Sequence, residues 1–257
     1  MKLFFLIFSI ILALSLIITG LLYLLRRCCA KTDVAVEHLH PSVFSFFTTI
    51  YAFFLGFAIV TLWSAFLTAQ VNVSREADSL LVAFRLSKTL PNSGAFRQSL
   101  ANYVKGVVED EWPSMGARDA MSEKTQQTLE KVWDDYILLK PPDKSDNDLY
   151  IEVGNRLSEA SQQRLSRAQL TQGNLYPPIW VIIVFGFITV LYGLYFNGLY
   201  FNHMQQNAVR LGFDFMVIFV VLCCIYFIYD IDTPFSGYVV VKPEVFKLAY
   251  ARMLALQ

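Results

Sequence analysis

The 257-residue chain is short of charge. Only 16% of its residues are Asp, Glu, Lys or Arg, and 55% are hydrophobic, whereas an ordinary soluble domain is about a quarter charged. With a mean hydropathy of +0.45, that shortfall excludes a soluble globule and points to the bilayer. Net charge is also missing, since 21 basic residues balance 21 acidic ones. There is none of the basic surplus with which a nucleic-acid binder meets phosphate. Histidine is scarce: His38, His40 and His203 all fall between apolar runs and offer little material for acid–base chemistry. The four cysteines form two adjacent pairs, Cys28-Cys29 and Cys223-Cys224, which is no disulfide framework because neighbours rarely bridge each other. His38 and His40 lie near the first pair, but their spacing matches no structural zinc site. No nucleophile–base pair, phosphate-binding glycine loop, dinucleotide fingerprint or metalloprotease motif occurs. These absences predict a membrane protein that is no enzyme, takes no cofactor and binds no nucleic acid.

What the chain has in plenty is long apolar runs. Four satisfy the roughly 20 residues that a spanning helix requires: residues 3–25, 43–68, 179–200 and 208–229. The first is too long for a signal peptide and ends in Arg26-Arg27 with no small-residue cleavage site, so it reads as a retained span. The second is unusually aromatic. Pro177-Pro178 precede the third and suit a first helical turn, where no backbone donor is needed. Asp230, Asp232 and Pro234 close the fourth. Only helices pair every backbone group within such a segment. Four spans put both termini and the segment between spans two and three on one side. Lys2, Arg75, Arg164, Arg167 and Lys242 flank that side, and Arg26, Arg27, Lys31 and Arg210 flank the other. The positive charges are nearly balanced and leave the orientation open.

Residues 69–175 hold 28 of the 42 charged residues, an ordinary density for a soluble segment. After span two the chain continues without Pro or Gly, with Val73, Ala77, Leu80, Leu81 and Phe84 at helical spacing. One rod is expected from about residue 43 to 90, stopped by Pro91-Asn92-Ser93-Gly94. Further helices are expected over 95–112, from an N-cap at Ser122, and from an N-cap at Asp146 with Tyr150, Val153, Leu157, Ala160 and Ala168 inward. Pro141-Pro142-Asp143-Lys144-Ser145 separates the last two. The fold class is therefore all-α: four transmembrane helices with a helical soluble insert between the second and third. The expected division is 1–68 for spans one and two, 69–175 for the insert, 176–232 for spans three and four, and 233–257 for a tail with a short strand-like segment and a helix.

Two stretches carry a family resemblance. One is Phe53-Phe54-Leu55-Gly56-Phe57-Ala58 with Ser74-Arg75-Glu76-Ala77-Asp78 and Leu90-Pro91. The other is Tyr229-Asp230-Ile231-Asp232-Thr233-Pro234-Phe235-Ser236-Gly237, followed by Tyr238-Val239-Val240-Val241. With two spans before and two after a helical insert, the chain resembles the bacterial bestrophin-like domain family. Bestrophins are pentameric anion channels whose second span lines a hydrophobic neck and whose helical domain is cytosolic. The resemblance implies self-association, small inorganic ions as cargo, a cell membrane (the inner membrane in a bacterium), and termini and insert in the cytoplasm. It implies function only by analogy of fold.

The residues supply candidate sites. One face of span two reads Phe46, Ile50, Phe53, Phe57, Thr61, Ser64, Thr68, aromatic at one end and hydroxylated at the other. Around a symmetry axis it would form a hydrophobic constriction opening into a polar vestibule; the plainer alternative is contact with lipid or neighbouring helices. Gly56 lies on another face and would permit close helix approach. Asp214 is the one charge clearly within a span, with Arg210 four residues earlier on the same face, and an internal ion pair is the simplest account. Asp230 and Asp232 sit at a helix C-terminus, where the dipole disfavours anions. A structural turn and a bound cation are the two readings, the second a reduced form of the acidic calcium clasp of some bestrophins. Glu76 and Asp78, beside Arg75 on the rod just past the membrane, have two readings: they set a vestibule's field, or they form a solvated helix face, the commoner outcome. The leading function is an ion channel; the alternative is a non-conducting sensor or scaffold whose insert recruits partners.

Overall fold

The computed structural model describes residues 2–29, 41–118, 120–139, 144–200 and 207–256. The three histidines, Lys31 and the Pro141-Pro142-Asp143 break lie outside these. The described residues form nine α-helices and one π-helical segment: α1 (Lys2–Cys29), α2 (Pro41–Ser87), α3 (Gly94–Gly106), the π segment (Val107–Glu111), α4 (Trp112–Arg118), α5 (Glu123–Ile137), α6 (Lys144–Leu170), α7 (Pro177–Tyr200), α8 (Asn207–Asp232) and α9 (Glu244–Ala255). Four helices, α1, α2, α7 and α8, are long and apolar enough to cross a membrane. The chain divides into two compact units, one of residues 1–62 with 175–229, the other of residues 63–174 with 230–257.

The first unit holds α1, the first part of α2, α7 and nearly all of α8. Its helices turn apolar side chains outward, as lipid requires: Phe5, Ile17, Val181 and Phe185 are all more than 60% exposed. The buried stripe of α1 is polar instead. Ser15, Thr19, Leu22 and Arg26 follow one another at helical spacing, and all are buried. Small residues let neighbouring spans approach closely. Gly186 and Gly193, two turns apart on α7, accept the rings of Tyr51 and Phe44 from α2, and a β-carbon at either position would overlap the ring. Gly56 faces open space, so close approach falls to α7 and not to the glycine expected. The Tyr51 hydroxyl fixes the same contact by donating to the Ile183 carbonyl at 2.9 Å.

The second unit has an apolar core of Phe84, Leu100, Val104, Val132, Leu157 and Phe246, all at or below 1% exposure. The rod is real, and ends at Ser87, where Lys88, Thr89 and Leu90 bond back three residues in a closing turn. Ser122 caps α5 as expected, its hydroxyl accepting from the Thr125 amide at 3.4 Å. The helix expected to stop at residue 112 runs on to Arg118. A π turn precedes Pro113, widening the coil where proline supplies no donor. Helix α6 opens at Lys144, two residues before the expected cap. The tail forms no strand over residues 238–241. Its amides go elsewhere: Tyr238 and Val239 donate to the Asp230 carboxylate, and Val241 to the Pro234 carbonyl. No ladder remains for them to join. The tail packs with the insert, where Trp112 donates through Nε1 to the Val241 carbonyl at 3.1 Å and sets its indole edge-on to Phe235 and tilted against Phe246.

Candidate functional site

Helix α2 has two faces. In the first unit Tyr51, Leu55, Ala58 and Leu62 are buried at helical spacing; in the second Phe66, Ala69 and Val73 continue the stripe. The opposite face is open. Phe46, Ile50, Phe53 and Phe57 are exposed, the last two above 70%, and Thr61, Ser64 and Thr68 follow them, also exposed. A groove of about 410 Å³ runs beside Phe53 and Phe57, closed by Leu175 and Ile179. Exposed apolar residues alone would not distinguish α2, since α1 and α7 carry them too. The distinction is that the exposed face of α2 turns hydroxylated and then charged along one unbroken helix. Hydroxyls and charges gain nothing from lipid.

Inside the first unit Asp214 accepts from Arg26 Nη1 at 2.6 Å, and Arg26 Nη2 donates to the Leu194 carbonyl at 2.6 Å. Both side chains are under 10% exposed. The direct partner of Asp214 is thus Arg26 of α1, a residue read from sequence only as a flanking charge. Arg210 lies one turn before Asp214, near enough for its charge to act on both. The clue to Arg26 was its place on the stripe of Ser15, Thr19 and Leu22.

The second unit buries a larger charge cluster. Arg167 donates to Glu76 through Nε and Nη2, each at 2.9 Å, and Nη2 also reaches Glu111 at 2.7 Å. Arg164 donates to the other oxygen of Glu111 at 2.6 Å and also bonds Gln126. The Tyr103 hydroxyl donates to Glu76 at 3.2 Å. Two arginines thus balance two carboxylates, tying α2, the π segment and α6 together. Glu76, Glu111 and Arg167 are wholly buried, and the Arg167 guanidinium lies 5.1 Å from the Trp112 ring and 5.7 Å from that of Phe246. Burial alone would lower the pKa of Arg167, but Glu76 and Glu111 outweigh it and raise it. Burial, reinforced by Glu76, pushes the Tyr103 hydroxyl well above its usual value and keeps it a donor. Glu76 is therefore not part of a solvated face; Asp78, two residues on, is exposed.

At the end of α8 the carboxylates meet backbone donors. Asp230 accepts from the Tyr238 and Val239 amides at 2.8 and 2.9 Å. Asp232 accepts from the Asn174 amide at 2.8 Å, and the Asn174 side chain donates to the Asp232 carbonyl at 2.8 Å. Gly237, at φ +108°, brings the tail over Asp230, and a β-carbon there would stand 2.7 Å from the carboxylate. The amides offset the unfavourable dipole, and among the described residues no three His, Cys, Asp or Glu side chains gather to hold a metal ion.

Among solved structures the chain resembles bacterial bestrophin homologues. A point variant of the homologue from Klebsiella pneumoniae superposes with a TM-score of 0.70 at 14% identity, over 96% of this chain and 99% of that one. The same homologue solved by zinc anomalous phasing gives 0.69 at 13% identity, over 96% and 97%. No curated protein matches. At such identities the structures establish the fold. The family follows from the sequence model of the Bestrophin-like domain, which matches residues 12–246, nearly the whole chain. This protein is a member of the Bestrophin-like family.

Proposed function

We propose that the protein is a homo-oligomeric ion channel, with α2 of each copy lining the path and Phe53 and Phe57 forming its hydrophobic neck. The observation that carries the reading is the exposed face of α2. Its aromatic part suits a constriction that gates by dewetting. Thr61, Ser64 and Thr68 suit the polar mouth that follows, and neither part is covered within the protomer. A closed ring places the same helix of every copy about one axis, five copies by the family resemblance. That resemblance also supports an anion as the cargo, and a cell membrane (inner in a bacterium) with termini and insert facing the cytoplasm.

The test is ion flux from liposomes holding the purified full-length protein. Flux above that of protein-free vesicles is expected, and Phe53→Ala or Phe57→Ala, by removing an apolar ring, raises it several-fold. Flux no greater than from empty vesicles, for wild type and both variants, refutes the reading.

A further inference from the structure

Past the hydroxylated stretch, the exposed face of α2 becomes charged. Val71, Arg75, Asp78, Val82 and Arg85 fall within an arc of roughly 80° at 3.6 residues per turn. Arg75, Asp78 and Arg85 are exposed. Some charges elsewhere on this unit's surface pair with a neighbour, as Lys105 does with Glu109 and Lys247 with Glu244; others, such as Lys131, Lys242 and Arg252, are exposed and in no salt bridge among the described residues. Among the described residues Arg75, Asp78 and Arg85 likewise take part in no salt bridge, although Arg75 and Asp78 stand three residues apart, a spacing at which helix pairs form. Nor do they serve the core: the adjoining Glu76 holds the buried arginine, whereas these three face away from it. Two positive charges against one negative leave the face with a surplus of one per copy.

We infer that Arg75 and Arg85 set the charge preference of the conduction path, favouring small inorganic anions, and that Asp78 moderates it. The inference rests on the channel reading and adds its specificity-determining residues. Around an axis the surplus repeats with every copy. A confined path lined by one sign of charge concentrates the opposite ion. The arginines act as a field and not as a binding site: they exchange no proton and hold no ion in a cage, so selectivity weakens as salt screens them.

The experiment measures reversal potentials of the full-length protein in planar bilayers under a potassium chloride gradient. Wild type is expected to favour chloride. Arg75→Glu with Arg85→Glu turns a surplus of one positive charge per copy into three negative, and lowers the chloride-to-potassium permeability ratio by roughly tenfold, within the range charged clefts produce. Asp78→Asn moves the ratio the other way, about twofold, and involves no reversal of charge that would endanger folding. Raising the salt on both sides shrinks both shifts. If channels conduct while neither variant moves the ratio, the inference is overturned and the channel reading stands. If wild type favours potassium, the inference is likewise overturned. Absence of any conductance overturns both.

Discussion

The two units bury opposite things. The membrane unit presents Phe5, Ile17 and Phe185 to its surroundings and turns Ser15, Thr19 and Arg26 inward. The insert builds an ordinary apolar core and sets four charged side chains within it. Each arrangement answers to its solvent. Lipid gives apolar side chains no reason to hide, so spans are held by close packing and by polar bonds. Water drives Leu100, Val104 and Phe246 together, and a core so closed tolerates charge only where opposite charges meet with their bonds satisfied. The lesson is that a buried ion pair answers to a different reference in each unit.

Substitutions break the comparison at different depths. The largest effect is expected from Arg167→Ala. It strips Glu76 and Glu111 of their shared partner, and breaking a buried pair from one side costs about 3–5 kcal/mol. The check is the midpoint of heat-induced loss of the folded peak in detergent, with Arg156→Ala, on an exposed pair, as a control that barely moves. Next comes Arg26→Leu, which removes the direct hydrogen-bonded partner of Asp214 and costs about 2 kcal/mol. Replacing both Arg26 and Asp214 by Leu restores most of the loss, because lipid-embedded packing can take over once neither charge is present. A double variant no better than the single would show that the pair is worth more than its own neutralisation. Gly193→Leu is expected to cost about 1–3 kcal/mol by forcing the Phe44 ring off α7, whereas the same change at Gly56, with open space beside it, leaves the midpoint near wild type.

The spans and the rod were legible because length and apolarity are local properties. So was the Ser122 cap. The charge cluster was hidden by its chemistry, since a carboxylate between Arg75 and Asp78 looks solvated. Periodicity nevertheless marks it. On α6 the inward run Val153, Leu157, Ala160 continues by fours and threes to Arg164 and Arg167, and on α2 the run Phe66, Ala69, Val73 continues to Glu76. Arg167 meets Glu111 across 56 positions and Glu76 across 91, separations at which no local pattern names a partner. Arg26 follows the same rule on α1. The exposed face of α2 was readable as a face, but sequence could not separate a bare surface from one covered by a neighbour. The tail was misread as strand-like because Val239-Val240-Val241 has the side chains of a strand, while Asp230 takes the amides that a ladder would use.

The π turn at residues 107–111 gives the insert an unusual kind of fragility. Most sites are lost by exchanging one side chain for another, whereas this one depends on how many residues the turn contains. A π turn holds about one residue more than an α turn, and so absorbs a residue that would otherwise rotate everything after it. Were the same five residues wound at the common pitch, Glu111, Trp112 and Met115 would swing about 100° around the axis. Every cluster side chain would still be encoded, and the ion cluster would be undone by winding alone.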